Sequence, residues 1–592
     1  MSYFKQAISE YVWDTKYRHK QAEKIIDTTI EQTWQRVAKA VSLNEPLKKQ
    51  NFWLNKYFQL LEDFKFLPGG RILAGAGINK KVTLFNCFVM NIKKDSLEAI
   101  FEALKEGALT LQQGGGIGYD FSILRPSGYA CRKTNSYSSG PVSFMQIWDS
   151  MCATMLSSSA RRGAMMANLR CDHPDIFQFI RMKLNPRELR HFNLSVIVTN
   201  EFMRAVAENA KWELVFPTQY KSKNTILRRW SGSSKPIPCE IIQTINARDL
   251  WEEIIYSAYQ YAEPGVIFED TINENNPLWY CEWISATNPC GEIPLPPYGA
   301  CNLGSINLTK YITEPFTPQA KINWQQLEDS ISLATRFLDN IIDISRFPLP
   351  KQKKAAVNTR RIGLGFTGLA DLFVMLNIEY GSKESLQLAT ELAKKLAYTT
   401  WLASAELAKE KGSFPLFQEE YLEGKFVKTL PEEIIHTIKQ CGMRNSHHNA
   451  IAPTGTISLF ANNISSGIEP IFSTTYRREV KALDKKIEFQ IDDYAYSYFK
   501  KTTNSGALPE KWKEVSALQP LEHLAIQSAV QPFLDNAISK TINIPVDYPF
   551  KDLIKIYQDA YQMNLKGCTI FRPNPITGEV ISTDDTDKAC CE

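Results

Sequence analysis

Residues 288 to 301 read N-P-C-G-E-I-P-L-P-P-Y-G-A-C. Asn288, Cys290 and Glu292 alternate along the first five positions, and Cys301 closes the stretch. An extended run from 288 to 292 would send amide, thiol and carboxylate to one side and turn Pro289 and Gly291 to the other, because successive side chains of a strand point to opposite faces. The three groups together make a reaction centre. A thiol can yield an electron or a hydrogen atom, a carboxylate can take a proton, and an amide can donate to and accept from a hydroxyl. Four prolines and two glycines between 289 and 299 exclude regular helix and predict a stiff loop. An isolated N-x-C-x-E also describes a turn-rich loop with structural cysteines, so the rest of the chain has to decide between the two.

Carried on to residue 308, the stretch N-P-C-G-E-I-P-L-P-P-Y-G-A-C-N-L-G-S-I-N-L resembles the finger loop of ribonucleotide reductase catalytic subunits, in the wording of the adenosylcobalamin-dependent (class II) branch. Similar blocks are N-C-F-V at 86 to 89, G-G-G-I-G-Y-D-F-S at 114 to 122, R-R-G-A-M-M-A at 161 to 167 and C-D-H-P-D-I at 171 to 176. Further on come R-R-I-G-L-G-F-T-G-L-A-D at 360 to 371, A-P-T-G-T-I-S at 452 to 458, S-S-G-I-E-P at 465 to 470 and K-G-C-T-I-F-R at 566 to 572. The resemblance implies an α/β fold: a ten-stranded α/β barrel of two five-stranded halves with the Cys290 loop threaded through its middle, preceded by a short helical region. It implies reduction of ribonucleotides, expected to be diphosphates, to 2′-deoxyribonucleotides by a thiyl-radical route for DNA precursor synthesis.

Length and composition agree with a large globular chain. At 592 residues it exceeds an ordinary single core, so several domains or one large barrel-type domain is expected. Hydrophobic residues at 44% and charged residues at 22% exclude disorder over most of the length. The 68 basic and 64 acidic side chains leave +4 without long like-charge runs, so no nucleic-acid polymer is expected as partner. No apolar run is long enough to cross a bilayer and the N-terminus lacks a signal-peptide layout, which makes the cytoplasm the expected compartment, with no membrane partner. Twelve irregularly spaced cysteines form neither a secreted disulfide framework nor a zinc pattern. No metal site is expected: His447 and His448 are adjacent, do not share a face and have no third ligand suitably spaced.

Residues 1 to 65 read as a helical region with no ATP cone, on apolar positions such as Ile25, Ile26, Ile30, Trp34 and Val37. From 66 to 575, short β-rich runs alternate with longer helical patterns, the pattern of an α/β architecture. The runs include Thr83 to Met90, Asn193 to Val198 and Val266 to Glu269. The helices include Ala247 to Ala262, Trp324 to Ile344 and Leu386 to Gly412. Residues 576 to 592 turn polar and end on Cys590 and Cys591, which reads as a flexible redox-active tail.

The resemblance also assigns roles. Cys290 becomes the thiyl, Glu292 the base for the ribose 3′-hydroxyl, and Asn288 a hydrogen-bonding partner of the ribose hydroxyls. Cys87 and Cys301 match the pair that reduces the substrate and closes to a disulfide, and Cys590 with Cys591 would re-reduce that pair by thiol exchange. Asn86 and Gly116 match substrate contacts. In Pro453, Thr454, Gly455, Thr456 and Ile457, amides and hydroxyls at a loop entering an apolar run would suit a diphosphate. Asp95 and Ser96 match an effector deoxynucleotide site, with segments 130 to 140 and 183 to 192 as the loops between effector and substrate. A homodimer pairing through the helices after residue 140 would complete that site.

The radical source sets the branch. No tyrosine occurs between 562 and 592, whereas reductases fed by a separate radical subunit carry adjacent tyrosines there, and no glycyl-radical motif is seen. Adenosylcobalamin is therefore the expected cofactor, and the absence of a D-x-H-x-x-G motif agrees with the dimeric class II enzymes. A thioredoxin or glutaredoxin type reductant is the expected electron source. The competing readings are a class I large subunit and a catalytically silent nucleotide-sensing paralogue. The five intact catalytic positions speak against the latter.

Overall fold

The computed structural model describes residues 3–21, 24–131, 135–155, 163–185, 188–218, 224–482, 485–503, 507–573 and 581–582. In the main sheet a first strand, β1 (Phe66–Pro68), is followed by five that lie parallel in chain order: β2 (Cys87–Val89), β3 (Gly116–Asp120), β4 (Met165–Arg170), β5 (Phe192–Val198) and β6 (Gly265–Phe268). Burial on both faces explains why these segments read as nearly continuous apolar runs: all six residues of β4 and all four of β6 are buried.

A short hairpin, β7 (Ala286–Thr287) and β8 (Pro294–Leu295), carries residues 288–293 at its tip. Strand β9 (Ala300–Asn307) then runs antiparallel to β2 and to β1, and parallel to β10 (Ile362–Thr367). On the opposite flank β12 (Gly567–Phe571) is antiparallel to β6 and parallel to β11 (Thr541–Asn543). The result is one mixed ten-stranded sheet in the order β10-β9-β2-β3-β4-β5-β6-β12-β11, with β1 branching from β9. Its two outer strands are not isolated. Residues 449–451 pair in parallel with both flanks, Asn449 with Leu364 of β10 and Ile451 with Ile538 just ahead of β11.

Helices cover the sheet. In the N-terminal region α1 (Ala7–Val12), α2 (Ile30–Ser42) and α3 (Gln50–Leu61) bury Trp34, Val37, Val41 and Leu61 in the same core as the sheet. Ile25 and Ile26, expected on a helix, are exposed and lie ahead of α2. After α4 (Gly70–Gly75) come α5 (Leu97–Gln112), α6 (Gly140–Thr154), α7 (Ala247–Tyr261) and α8 (Trp324–Ile344). In α8 the Asn323 side chain caps the first turn, and Leu327, Ile331, Ala334, Leu338 and Ile341 form the buried stripe at helical spacing. The long α9 (Lys383–Lys411) starts on a Ser382 cap and ends at Gly412, and α10 (Gly455–Phe460) is a short helix after the 453–454 loop. The N-terminus grips this last element: Ser9 Oγ donates to Leu459 O at 2.7 Å. A separate small core, with Cys87, Val89, Ile293, Leu295, Cys301 and Ala450 among its members, surrounds the β7–β8 hairpin.

Candidate active site

Residues 288–293 do not run extended. Gly291, at φ +81°, donates its N–H to Asn288 O at 3.1 Å; Asn288 N donates to Ile293 O at 3.3 Å and Ile293 N to Asn288 Oδ1 at 3.0 Å. These bonds close a tight turn whose left-handed residue is the glycine, the residue that takes that conformation without steric cost. The turn, and not strand alternation, decides where the side chains go: Asn288 and Glu292 are buried while Cys290 is exposed.

The hairpin is held by two distant segments. Asn193 Nδ2, on β5, donates to Pro289 O at 2.8 Å, and Ala537 N donates to Glu292 O at 2.9 Å. Against β3 the backbones approach so closely that a Cβ added at Gly118 would overlap the carbonyl of Thr287. No side chain fits at that position.

Two thiols sit beside the turn. Asn288 Nδ2 donates to Cys87 Sγ at 3.1 Å, and the Cys87 thiol lies 3.8 Å from Glu292 Oε1. Cys301 is the cross-strand partner of Cys87 in the β2–β9 ladder, and both are free thiols. Directly opposed residues of an antiparallel pair have Cα atoms about 4.5–5.5 Å apart, within the span that a disulfide bridges. Burial pushes the Cys87 thiol well above its ordinary value, the Glu292 charge adds to the rise, and the Asn288 hydrogen bond offsets only part of it. Burial likewise raises Cys301. Both therefore hold their protons at neutral pH and can deliver hydrogen as well as electrons.

Asn86, Cys87, Gly116, Asn288, Cys290 and Glu292 line one cavity together with Pro453–Ile457. Cys301, opposed to Cys87 across the ladder, is buried and is not part of the lining. The cavity spans about 950 Å³ including the open space at its mouth. One hydroxyl of the loop is already engaged. The Thr454 hydroxyl is turned into the protein, within 2.9 Å of Thr367 Oγ1 and 3.0 Å of Ser458 Oγ, and accepts from Gly467 N at 2.9 Å. The loop thus offers the cavity its backbone and Thr456, with the Thr454 side chain serving as its internal clasp. Asn86 Oδ1 is buried without a hydrogen-bond partner among the described residues. Arg71 and Tyr17 also line the cavity, and neither was singled out from sequence. The G-G-R run reads only as a turn, and Tyr17 lies far away in the chain.

A family model described as "Ribonucleotide reductase, barrel domain" matches residues 85–571, and one described as "Ribonucleotide reductase, all-alpha domain" matches residues 3–81. The chain belongs to the ribonucleotide reductase family. It is 37% identical over 566 residues to the vitamin B12-dependent ribonucleoside-diphosphate reductase of Mycobacterium tuberculosis (strain CDC 1551 / Oshkosh), covering 92% of this chain and 76% of that one. The protein of the same name from Thermoplasma acidophilum is 35% identical over 557 residues, 90% of this chain and 67% of its own. The ribonucleoside-diphosphate reductase subunit alpha of Chlamydia pneumoniae is 26% identical over 613 residues, 94% and 58% of the two chains.

Other residues singled out in this reductase chain lie elsewhere. Asp95 is ion-paired with Arg125, and Ser96 caps α5 by accepting from Ala99 N at 3.3 Å. Neither lines the cavity. His447 is buried among Arg361, Ser446 and Asn276, and His448 bonds Asp535 at 3.0 Å and packs on Trp401. Both are core residues with protein partners. Cys152, Cys171, Cys239 and Cys568 are buried away from the turn, and Cys281 is exposed. Cys590 and Cys591 fall outside the described residues.

Proposed function

We infer that this chain reduces ribonucleoside diphosphates to 2′-deoxyribonucleoside diphosphates with adenosylcobalamin as cofactor. The observation that carries the reading is that Cys87, the cross-strand partner of Cys301, shares one cavity with the Asn288–Cys290–Glu292 turn. Similarity favours the same branch, since the vitamin B12-dependent ribonucleoside-diphosphate reductases of Mycobacterium tuberculosis and Thermoplasma acidophilum stand at 37% and 35% identity and the subunit alpha relative of Chlamydia pneumoniae at 26%.

In this reading the ribose lies over the hairpin tip. Glu292 takes the 3′-hydroxyl proton, and Asn288 orients the ribose hydroxyls while its amide keeps hold of Cys87. Cys87 and Cys301 supply two electrons and two hydrogens: the 2′-hydroxyl leaves as water, hydrogen replaces it on carbon, and the two sulfurs join. Adenosylcobalamin, when bound, supplies the radical chemistry that lets Cys290 abstract hydrogen. The tip leaves open space on that side, since Cys290 is exposed and a Cβ added at Gly291 or Gly455 would meet nothing within 4 Å. Cys290, Gly291 and Gly455 are the residues that would face it.

The ten-stranded barrel of two five-stranded halves is the architecture we assign, with residues 449–451 as the strand that joins β10 to β11; the paired bridges on both flanks support it. Residues 1–65 then form its helical cap, 66–575 the barrel and 576–592 a tail carrying Cys590 and Cys591 to a thioredoxin or glutaredoxin type reductant. A homodimer through α5 and α6, with deoxynucleotide effectors near Asp95 and Ser96, is supported by the exposed Leu97 and Phe101 on α5. The deciding assay is cytidine diphosphate reduction with adenosylcobalamin and a small dithiol, and no second protein. We expect deoxycytidine diphosphate. Product that appears only when a second radical-generating subunit is added would overturn the cobalamin branch.

A further inference from the structure

Among the described residues that line the cavity, Arg71 is the one cation and Glu292 the one carboxylate. A diphosphate brings two to three negative charges into this space. The 453–457 loop answers with neutral donors only, and the Thr454 hydroxyl is already engaged inside the protein. Neutral donors can orient phosphate oxygens without cancelling their charge, and charge-assisted bonds are about twice as strong as neutral ones.

The protein makes specific room for the Arg71 guanidinium. Arg71 sits in the first turn of α4 and is only 9% exposed. It lies against the G-G-G run that leads into β3, where an added Cβ at Gly114 would stand 2.5 Å from its Cζ and Nη1. Gly114 also has φ +92°, so any side chain there is excluded twice over. The glycine run, which lacks both a Walker lysine and a dinucleotide fingerprint, thereby acquires a purpose as the seat of a buried guanidinium. Beside it, the Cβ position of Gly69 is 2.8 Å from Asn86 Oδ1, so the start of α4 and the Asn86 side chain share one wall of the cavity.

We propose that Arg71 is the counter-charge for the substrate diphosphate, and so a determinant of selectivity for phosphorylated substrate. This rests on the ribonucleotide reading of the cavity. A guanidinium is suited to the task because its planar fork meets two phosphate oxygens at once and it never deprotonates.

The test is equilibrium binding of cytidine diphosphate and of cytidine to the full chain, comparing wild type with Arg71→Gln and Arg71→Lys. Loss of one charge-assisted contact predicts roughly a 10- to 100-fold rise in Kd for the diphosphate in Arg71→Gln, a smaller rise in Arg71→Lys, and no change for cytidine. If Arg71→Gln does not fold, Arg71→Lys decides alone: it keeps the charge and loses the fork, so diphosphate binding weakens several-fold while cytidine binding holds. Equal weakening of both ligands would make Arg71 a structural prop, and unchanged diphosphate binding would remove it from the site; either overturns the proposal while the function stands. Failure of wild type to bind cytidine diphosphate would instead overturn the functional reading, and this role with it.

Discussion

Cys87 and Cys301 face each other across the antiparallel junction of β2 and β9, and the Asn288 amide from the hairpin tip is bonded to the first of them at 3.1 Å. The two thiols and the turn are therefore tied together as one packed unit, the pair and the turn to which reduction and substrate binding are assigned above.

This unit predicts where the electrons come from. Pre-reduced enzyme mixed once with substrate should yield a Cys87–Cys301 disulfide, found by peptide mapping in proportion to product. Cys301→Ser should form no product even on the first turnover, because the second electron must be delivered at the 2′-carbon itself. Full first-turnover product from that variant would remove Cys301 from the pair.

The thiols should differ sharply in reactivity. Alkylation needs the thiolate, and burial holds Cys87 and Cys301 in the protonated form, whereas Cys290 is exposed. Iodoacetamide at pH 8 should label Cys290 in the folded enzyme and reach the other two only after denaturation. Early labelling of Cys87 would contradict the packed turn.

Two glycines near the tip should tolerate alanine unequally. Gly118→Ala drives a methyl into the Thr287 carbonyl, an overpacking that costs about 1–3 kcal/mol, and it should displace the hairpin and cut activity steeply. Gly291→Ala meets open space but keeps φ +81°, a cost of about 1–2 kcal/mol. Melting temperature and turnover measured together separate the two. Unchanged turnover in Gly118→Ala would show that the hairpin is not pinned there.

A buried carboxyl pair should leave a mark on stability. Asp371 accepts from Ser465 N at 2.7 Å, and Asp493 lies beside it at the start of the helix Tyr494–Thr503. Burial pushes Asp371 up to about 6; burial together with the Asp371 charge pushes Asp493 well above the ordinary carboxylate range. The folded state thus binds more protons than the unfolded one above pH 4, so the pair stabilises most in acid and its contribution falls as pH rises through 6. Asp493→Asn removes that titration. Its melting temperature relative to wild type should climb between pH 4 and 7, and a flat difference would refute the pairing.

The tail proposal separates cleanly from the cavity. Deleting the last few residues should leave the first turnover intact and stop later ones when a protein reductant is used, while a small dithiol restores them. Equal multiple turnover of both forms with the protein reductant would make Cys590 and Cys591 bystanders.

Local pattern alone located much of this molecule. Helix Trp324–Ile344 was legible to the residue, because its Asn cap and 3–4 spacing are local signals, and Ala247–Tyr261 and Lys383–Lys411 differ from expectation by three residues or fewer at each end. Residues 193–198 and 266–268 read as strands from their apolar runs. The residue types of the site were likewise written in the 288–301 stretch and in N-C-F-V. Their directions were not. Alternation predicted an extended tip, but hydrogen bonds among Asn288, Gly291 and Ile293 close it into a turn, and only contacts from Asn193 and Ala537 fix its pose. The inward clasp of Thr454 depends on Thr367 and Gly467, and the place of Arg71 on space left at Gly114, positions 13 to 87 residues away in the chain for the first and 43 for the second. Short-range periodicity carries no information about such partners, because they meet only when the sheet brings distant segments together.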